Sequence, residues 1–439
     1  MRDQPDAPVT TAPPGAAPAA PPGHPARRPP TPAGPPRPPA PDPALPGPPA
    51  AGTAPGPAAA GMAPGPAAAG TASGPAVAGV APGPAAVGVA AGSPAAGAAY
   101  GSAGREPAPG LSAPGAVTVP GALRPLGEHR LWPRSFADRL TTPLPGLRAF
   151  ARLAREGAFR PGAEGLSGIP DLPYEPAPLP EVTPGTVSAT WAGHASWVLR
   201  TGGLTVLTDP VWSRRILGTP ARVTPVGVPW EQLPPVDAVV ISHNHYDHLD
   251  APTLRRLPRD TALFVPAGLA RWCRRRGFTR VTELDWWESA ELGGVRFEFV
   301  PAHHWSKRSL LDTCRTLWGG WMLTDAAAGR KVYFAGDTGY GHWFAEIGRR
   351  HPGIDLALLP IGAYAPRWWL RDVHADPEEA VRACLDLGAR RMAPMHWATF
   401  VLSAEPVMEP LHRARAAWAR AGLPREDLWD LPIGASRSL

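Results

Sequence analysis

Cysteine is nearly missing from this chain: three in 439 residues, at Cys273, Cys314 and Cys384, with no Cys-x-x-Cys pair. Odd in number and widely spaced, they exclude a disulfide-built domain and fit a reducing compartment. Long apolar runs are missing too, since no stretch approaches the ~18 uninterrupted apolar residues of a membrane span. Pro-rich sequence follows Met1-Arg2-Asp3-Gln4-Pro5-Asp6 where a signal peptide would have an apolar core. Nor does one sign of charge dominate: 43 Lys+Arg against 37 Asp+Glu leave a net +6. The basic clusters, Arg274-Arg275-Arg276 and Arg349-Arg350, are too short to argue for a nucleic-acid partner and read as solvated faces. These absences leave a cytoplasmic chain as the expectation, with any membrane contact peripheral and at the inner face.

Proline and glycine are abundant, 62 and 48, but unevenly spread. Residues 1–115 are mostly Ala, Pro and Gly, too poor in aromatic and branched apolar residues to offset chain entropy, and are expected to be a disordered tail. Within them a nine-residue motif, Ala54-Pro-Gly-Pro-Ala-Ala-Ala-Gly-Met62, recurs in near copies to residue 89, which suits a partly polyproline-like tether. Residues 116–185 are a linker and helical extension. In it, 147–156 places apolar residues at helical spacing opposite arginines, as in a short packed helix or, alternatively, a lipid-surface helix.

Residues 186–439 carry regular patterning and form one expected domain. Strands are expected at 186–191, 196–200, 204–208, 236–242, 262–265, 295–300, 331–334, 356–359 and 391–395. Helices are expected at 251–257, 267–276 and 377–387, the last opened by Asp376-Pro377-Glu378-Glu379, a capping acid followed by proline and acids in the first turn. Strand-rich segments alternating with helices give an α/β (α+β) class with two sheets and helices outside.

One stretch organises the rest. After the β-branched run 236–242 come His243-Asn-His245-Tyr-Asp247-His248-Leu-Asp250, three imidazoles and two carboxylates in eight residues. A strand alternates its side chains, so a loop at the strand's end is needed to gather them, and imidazole with carboxylate is the donor set that zinc and its neighbours favour. Further ligand-type residues end later strands: His303-His304 after 295–300, Asp337 between glycines after 331–334, and His396 after 391–395.

The pattern His-x-His-x-Asp-His resembles the metal loop of the metallo-β-lactamase superfamily. The resemblance implies an αββα sandwich with two Zn2+ (or other divalent) ions along one edge. By that pattern His243, His245 and His304 hold the first ion, with His303 as the competing third position. Asp247, His248 and His396 hold the second, and Asp337 bridges. Asp209 and Asp250 are expected to orient ligand imidazoles without ligating.

More narrowly, Trp191-Ala-Gly-His-Ala195, Leu207-Thr-Asp-Pro210, 233–250, Glu283-Leu-Asp-Trp-Trp-Glu288, His304-Trp-Ser-Lys-Arg308, Phe334–Tyr340, Pro360–Trp368, His374–Ala380 and His396–Phe400 are similar to N-acylphosphatidylethanolamine-hydrolysing phospholipase D. That implies hydrolysis of a phospholipid phosphodiester to phosphatidic acid and an N-acylethanolamine, with Asp247, Asp337 and His374 catalytic and Tyr364, Arg367 and Trp368 beside the headgroup. It also implies a homodimer. Two alternatives stand beside it. One is a hydrolase of small phosphodiesters or lactones; the other is a non-catalytic scaffold, which would have lost ligands that are all present here.

Overall fold

The computed structural model describes residues 121–439 apart from Gly218; the nine-residue repeats and the boundary expected at residue 115 lie outside the described residues. The expected sandwich is what forms. One sheet has the order β13-β1-β2-β3-β4-β5-β6, from β1 (Ser188–Gly193), β2 (Ser196–Thr201), β3 (Leu204–Thr208), β4 (Ala238–Val240), β5 (Ala262–Pro266), β6 (Val281–Leu284) and β13 (Ser436–Ser438). The other runs β12-β11-β10-β9-β8-β7, from β7 (Ser289–Leu292), β8 (Val295–Val300), β9 (Gly320–Asp325), β10 (Arg330–Phe334), β11 (Leu356–Pro360) and β12 (Arg391–Met395). Each sheet is mixed. Hairpin-linked neighbours pair antiparallel, whereas β3-β4-β5-β6 and β10-β11-β12 pair in parallel, as crossover connections require.

The core lies between the sheets. Phe264 of β5 stacks on Phe297 of β8 with centroids 4.1 Å apart, and Trp191, Trp197, Phe299, Trp321 and Phe334 fill the same layer at 0% exposure. Fully burying an aromatic or branched side chain stabilises by about 1.5–3 kcal/mol, so this layer fixes how the two sheets meet. Their strand ends therefore share one edge.

Helices cover the outer faces. α1 (Leu147–Arg155) and α2 (Ala163–Leu166) precede the sandwich, and α3 (Ala251–Leu254) follows the metal loop. α4 (Ala270–Arg274) packs on β6. α5 (Trp343–Arg350) and α6 (Arg367–Leu370) lie between strands of the second sheet. α7 (Pro377–Asp386) packs on β11 and β12, with α5 and α8 (Glu409–Arg420) against it. α7 starts as its sequence requires: Asp376 Oδ1 accepts from the Glu379 N–H (2.9 Å) and Glu379 Oε2 from the Asp376 N–H (3.1 Å). Such a cap contributes about 1 kcal/mol.

Two helices come out shorter than their patterns. The stretch 267–276 contracts to α4 between Gly268 at φ 87° and Gly277 at φ 91°, and 251–257 contracts to α3, with Pro258 one residue beyond the expected end. α1 also departs from a packed helix. It buries only Leu153 completely and leaves Leu147 89% exposed. Among the described residues no helix is long and apolar enough to cross a membrane, and all three cysteines are buried and unpaired.

Candidate metal centre

The site is built where strands of both sheets end. β4 delivers Ser242 and His243, β8 leads to His304, β10 to Asp337 and β12 to His396. The approach of the sheets here is close. At Gly336, φ 62°, an added Cβ would fall 2.4 Å from Ser242 Cβ, so only glycine lets Asp337 come alongside the metal loop. Trp321 Nε1 donates to the carbonyl of Ile241 (2.9 Å), and the Gly319 N–H to that of Ser242 (3.1 Å), which fixes the loop's entry. Arg308 supports its far side by donating to the carbonyl of Asn244 at 3.1 Å, while Tyr246 donates to that of Arg308 at 2.8 Å.

Two groups of four donors result. In each, the ligand-type atoms lie within 4.8 Å of one another: His243, His245, His304 and Asp337 in one, and His194, Asp247, His248 and His396 in the other. Asp337 touches both. Its Oδ2 lies 3.0 Å from His248 Nε2 and 3.8 Å from His243 Nε2 and His304 Nε2, and its Oδ1 lies 3.1 Å from His396 Nε2. All seven residues expected as ligands are thus brought together. They fall as His243, His245 and His304 with Asp337, and Asp247, His248 and His396 with His194, which was not among the expected ligands.

The donor set fits a cation. Imidazole nitrogens converge at 2.8 Å (His243 to His245) and 3.3 Å (His245 to His304, and His248 to His396), spacings that a shared cation would satisfy. Burial holds His245 down to about 3 and His304 down to about 4, and both are neutral, as a ligand must be. For Asp337 and Asp247 burial favours the acid form. The surrounding charges, foremost His248, outweigh it and keep both carboxyls well below their usual range.

Orienting contacts are explicit. Asp209 receives the Ser242 N–H at 2.7 Å, the Ser242 hydroxyl, and His248 Nδ1 at 2.7 Å; Ser242 Oγ also meets His243 Nδ1 at 2.9 Å. One buried carboxylate therefore aims two imidazoles, as expected. His304 Nδ1 donates to the carbonyl of Val373 at 3.0 Å, whereas His303 turns away to Thr141 Oγ1 at 3.0 Å. Asp250 corrects the expectation. It orients no imidazole, but caps α3 by accepting from the Thr253 N–H (3.2 Å) and takes the Ser213 hydroxyl at 2.6 Å.

His374 lies beside the centre, its ring 5.2 Å from that of His304 and 5.4 Å from that of His396, within reach of Asp337. The three residues expected at the headgroup have their polar groups engaged elsewhere. Tyr364 donates to Glu409 (2.7 Å), and Trp368 Nε1 to Glu156 (3.0 Å) under the Arg152 guanidinium. Arg367 donates to Glu379 and to the carbonyl of His374, both at 2.7 Å, and so supports the loop carrying His374.

Two residues near the site escaped the sequence reading. His194 enters the sequence reading only within the segment Trp191–Ala195 and with no role, although it stands between the small residues Gly193 and Ala195, a signal of close packing. Arg222 carried no motif at all. Its Nε, Nη1 and Nη2 are buried without a hydrogen-bond partner among the described residues, 5.5 Å from the Phe400 ring, and burial pulls it down to about 10. An unpaired buried cation is costly. R222M is expected to stabilise the fold by about 1–4 kcal/mol, read as a higher thermal midpoint; a lower midpoint would mean the guanidinium has an undetected partner.

Residues 205–397 match the β-lactamase superfamily domain. The chain is 42% identical over 282 residues to an uncharacterised protein of Mycobacterium tuberculosis, covering 60% of this chain and 71% of that one. It is 37% identical over 260 residues to N-acyl-phosphatidylethanolamine-hydrolyzing phospholipase D 1 of Caenorhabditis elegans, covering 55% and 71%. The mitochondrial N-acyl-phosphatidylethanolamine-hydrolyzing phospholipase D of Saccharomyces cerevisiae is 39% identical over 234 residues, half of this chain and 49% of the yeast protein. The chain belongs to the metallo-β-lactamase superfamily. Within it, the fold, the donor clusters and the relatives define a metal-dependent hydrolase.

Proposed function

We propose that this hydrolase is a phospholipase D-type phosphodiesterase that releases N-acylethanolamine and phosphatidic acid from N-acylphosphatidylethanolamine. The observation that carries the reading is the full set of seven His and Asp donors in a chain 37–39% identical to proteins named for that reaction.

In this reading His243, His245 and His304 hold one ion, Asp247, His248 and His396 a second, with Asp337 between, and zinc suits the donors. Bound there, two divalent ions would lower the pKa of water and neutralise charge on a phosphoryl oxygen. The chain's own groups do the rest. Asp209 and Ser242 hold the imidazoles of His243 and His248 in one orientation. His374 would meet the phosphodiester as a neutral imidazole, since burial holds it well below its usual range, and its N–H would hydrogen-bond a phosphoryl oxygen or the departing alkoxide. Arg367 fixes the backbone from which it projects.

A lipid substrate also needs a surface. Leu310 and Leu311, on the loop six and seven residues after His304, are 89% and 80% exposed, and α1 presents Leu147 and Phe150 among Arg148, Arg152 and Arg155. Exposed apolar side chains flanked by arginine support peripheral contact with an anionic bilayer.

The test is mass spectrometry of products from the zinc-loaded chain with N-acylphosphatidylethanolamine, beside D247N. Phosphatidic acid plus N-acylethanolamine, absent in D247N, is expected. A chain that holds two metals and leaves the lipid intact, yet cleaves a small phosphodiester or a lactone, would overturn the lipid assignment.

A further inference from the structure

The turn between β1 and β2 is tied down more firmly than a hairpin needs. His194 sits at φ 56° directly after Gly193 at φ 113°, where an added Cβ would meet Arg222 Nη2 at 2.9 Å and Thr399 Oγ1 at 3.1 Å. A left-handed conformation at a non-glycine residue costs on the order of 1–3 kcal/mol and persists where the surroundings over-determine it. Here they do. The His194 N–H donates to Thr399 Oγ1 (2.7 Å), and its carbonyl accepts from Trp191 Nε1 (2.9 Å) and from the His396 N–H (3.1 Å).

The side chain is aimed with equal care. It is 1% exposed, its Nε2 lies 3.1 Å from Asp247 Oδ2, its ring lies 4.1 Å from that of His396, and Phe400 closes it in edge-on at 5.3 Å. We propose that His194 is a positioning residue for the Asp247–His248–His396 half of the centre. With its proton on Nε2 it donates to Asp247, while its carbonyl holds the backbone of His396. One turn thus sets two donors that lie 149 positions apart in the chain.

His194 stands within the second donor group with Asp247, His248 and His396, so the count of donors argues for positioning only because Asp337 can take the fourth place. Asp337 reaches His248 and His396 at 3.0 and 3.1 Å. A fifth protein donor would fill the place that a catalytic site keeps for water or substrate. The inference rests on reading the centre as metal-binding.

The test compares H194F, which keeps an aromatic ring of somewhat larger size and loses the donor, with H194Q, whose amide nitrogen reaches about as far as the imidazole Nε2. In the full chain, zinc affinities are measured by competition with a chromophoric chelator, and thermal unfolding of the metal-free forms checks that both variants fold. H194F is expected to weaken the second equivalent of zinc ~10–100-fold with the first unchanged, and H194Q to restore most of it. Unchanged affinity in H194F overturns the proposal. So does a loss that H194Q fails to restore together with an altered cobalt(II) absorption spectrum, which would make His194 a ligand. A wild-type chain that takes up no zinc overturns the metal-centre reading itself, and this inference with it.

Discussion

Asp337→Asn should lower kcat/KM by at least ~1,000-fold while leaving the fold intact. Asn has nearly the same shape, and the glycine that admits residue 337 to the edge is untouched, so the sandwich has no reason to shift. What disappears is one negative charge in contact with both halves of the centre, 3.0–3.8 Å from four imidazoles. Charge neutralisation at a two-ion site is worth several kcal/mol, and each 1.36 kcal/mol is a factor of ten in rate. The measurement is kcat/KM beside metal content per chain. A variant with full metal content and more than a tenth of wild-type turnover would remove Asp337 from its central place. D250A is the contrasting control: as the cap of α3 it should cost about 1 kcal/mol of stability and leave turnover near wild type.

Much of this was legible before any fold was known, and the reason is local. His243, His245, Asp247 and His248 cluster in six residues, and each later ligand follows a β-branched or apolar run directly, so sequence order maps onto the sandwich edge. Asp376 announced α7 because a cap is written in consecutive residues. Elements whose identity depends on packing were harder to see. β6 and β7 are four-residue strands interrupted by Glu, β9 opens on Gly320 and Trp321 without alternation, and α8 buries Leu411, Ala414, Ala417 and Trp418 behind an unremarkable Ala/Arg composition while packing on α7. Within the site the illegible parts are those made by distance. Nothing near His194 in sequence says that Asp247 will accept its proton, and nothing near Tyr364 or Trp368 says that Glu409 and Glu156 will claim them. Asp250 misled because a helix cap and an imidazole partner use the same residue type in the same place.

Removing the ions should abolish turnover and also make stability depend on pH where the loaded protein is indifferent to it. Without a cation, carboxylates and imidazoles must neutralise one another. Burial opposes a charged His396, but Asp337 and Asp247 outweigh it and raise the imidazole to about 9; the same two carboxylates, with Asp209, hold His248 well above its usual range. Both folded values thus exceed the ordinary 6.5 of an unfolded histidine. Groups shifted in that direction contribute stability that is fully present below pH 6.5 and is lost as pH rises through about 9. The metal-free chain should therefore show a falling thermal midpoint across that window. In the loaded chain the ions supply the positive charge, and the midpoint should stay level. Loading at pH 7 should in turn expel the protons of His248 and His396, while His245 and His304, already neutral, release none. Calorimetric titration with zinc in two buffers of different ionisation enthalpy reads that release directly. Equal midpoint profiles for the loaded and stripped chains, or zinc uptake with no proton release, would mean that the carboxylates are neutralised in some other way and that the imidazoles of β12 and the metal loop are not their counter-charges.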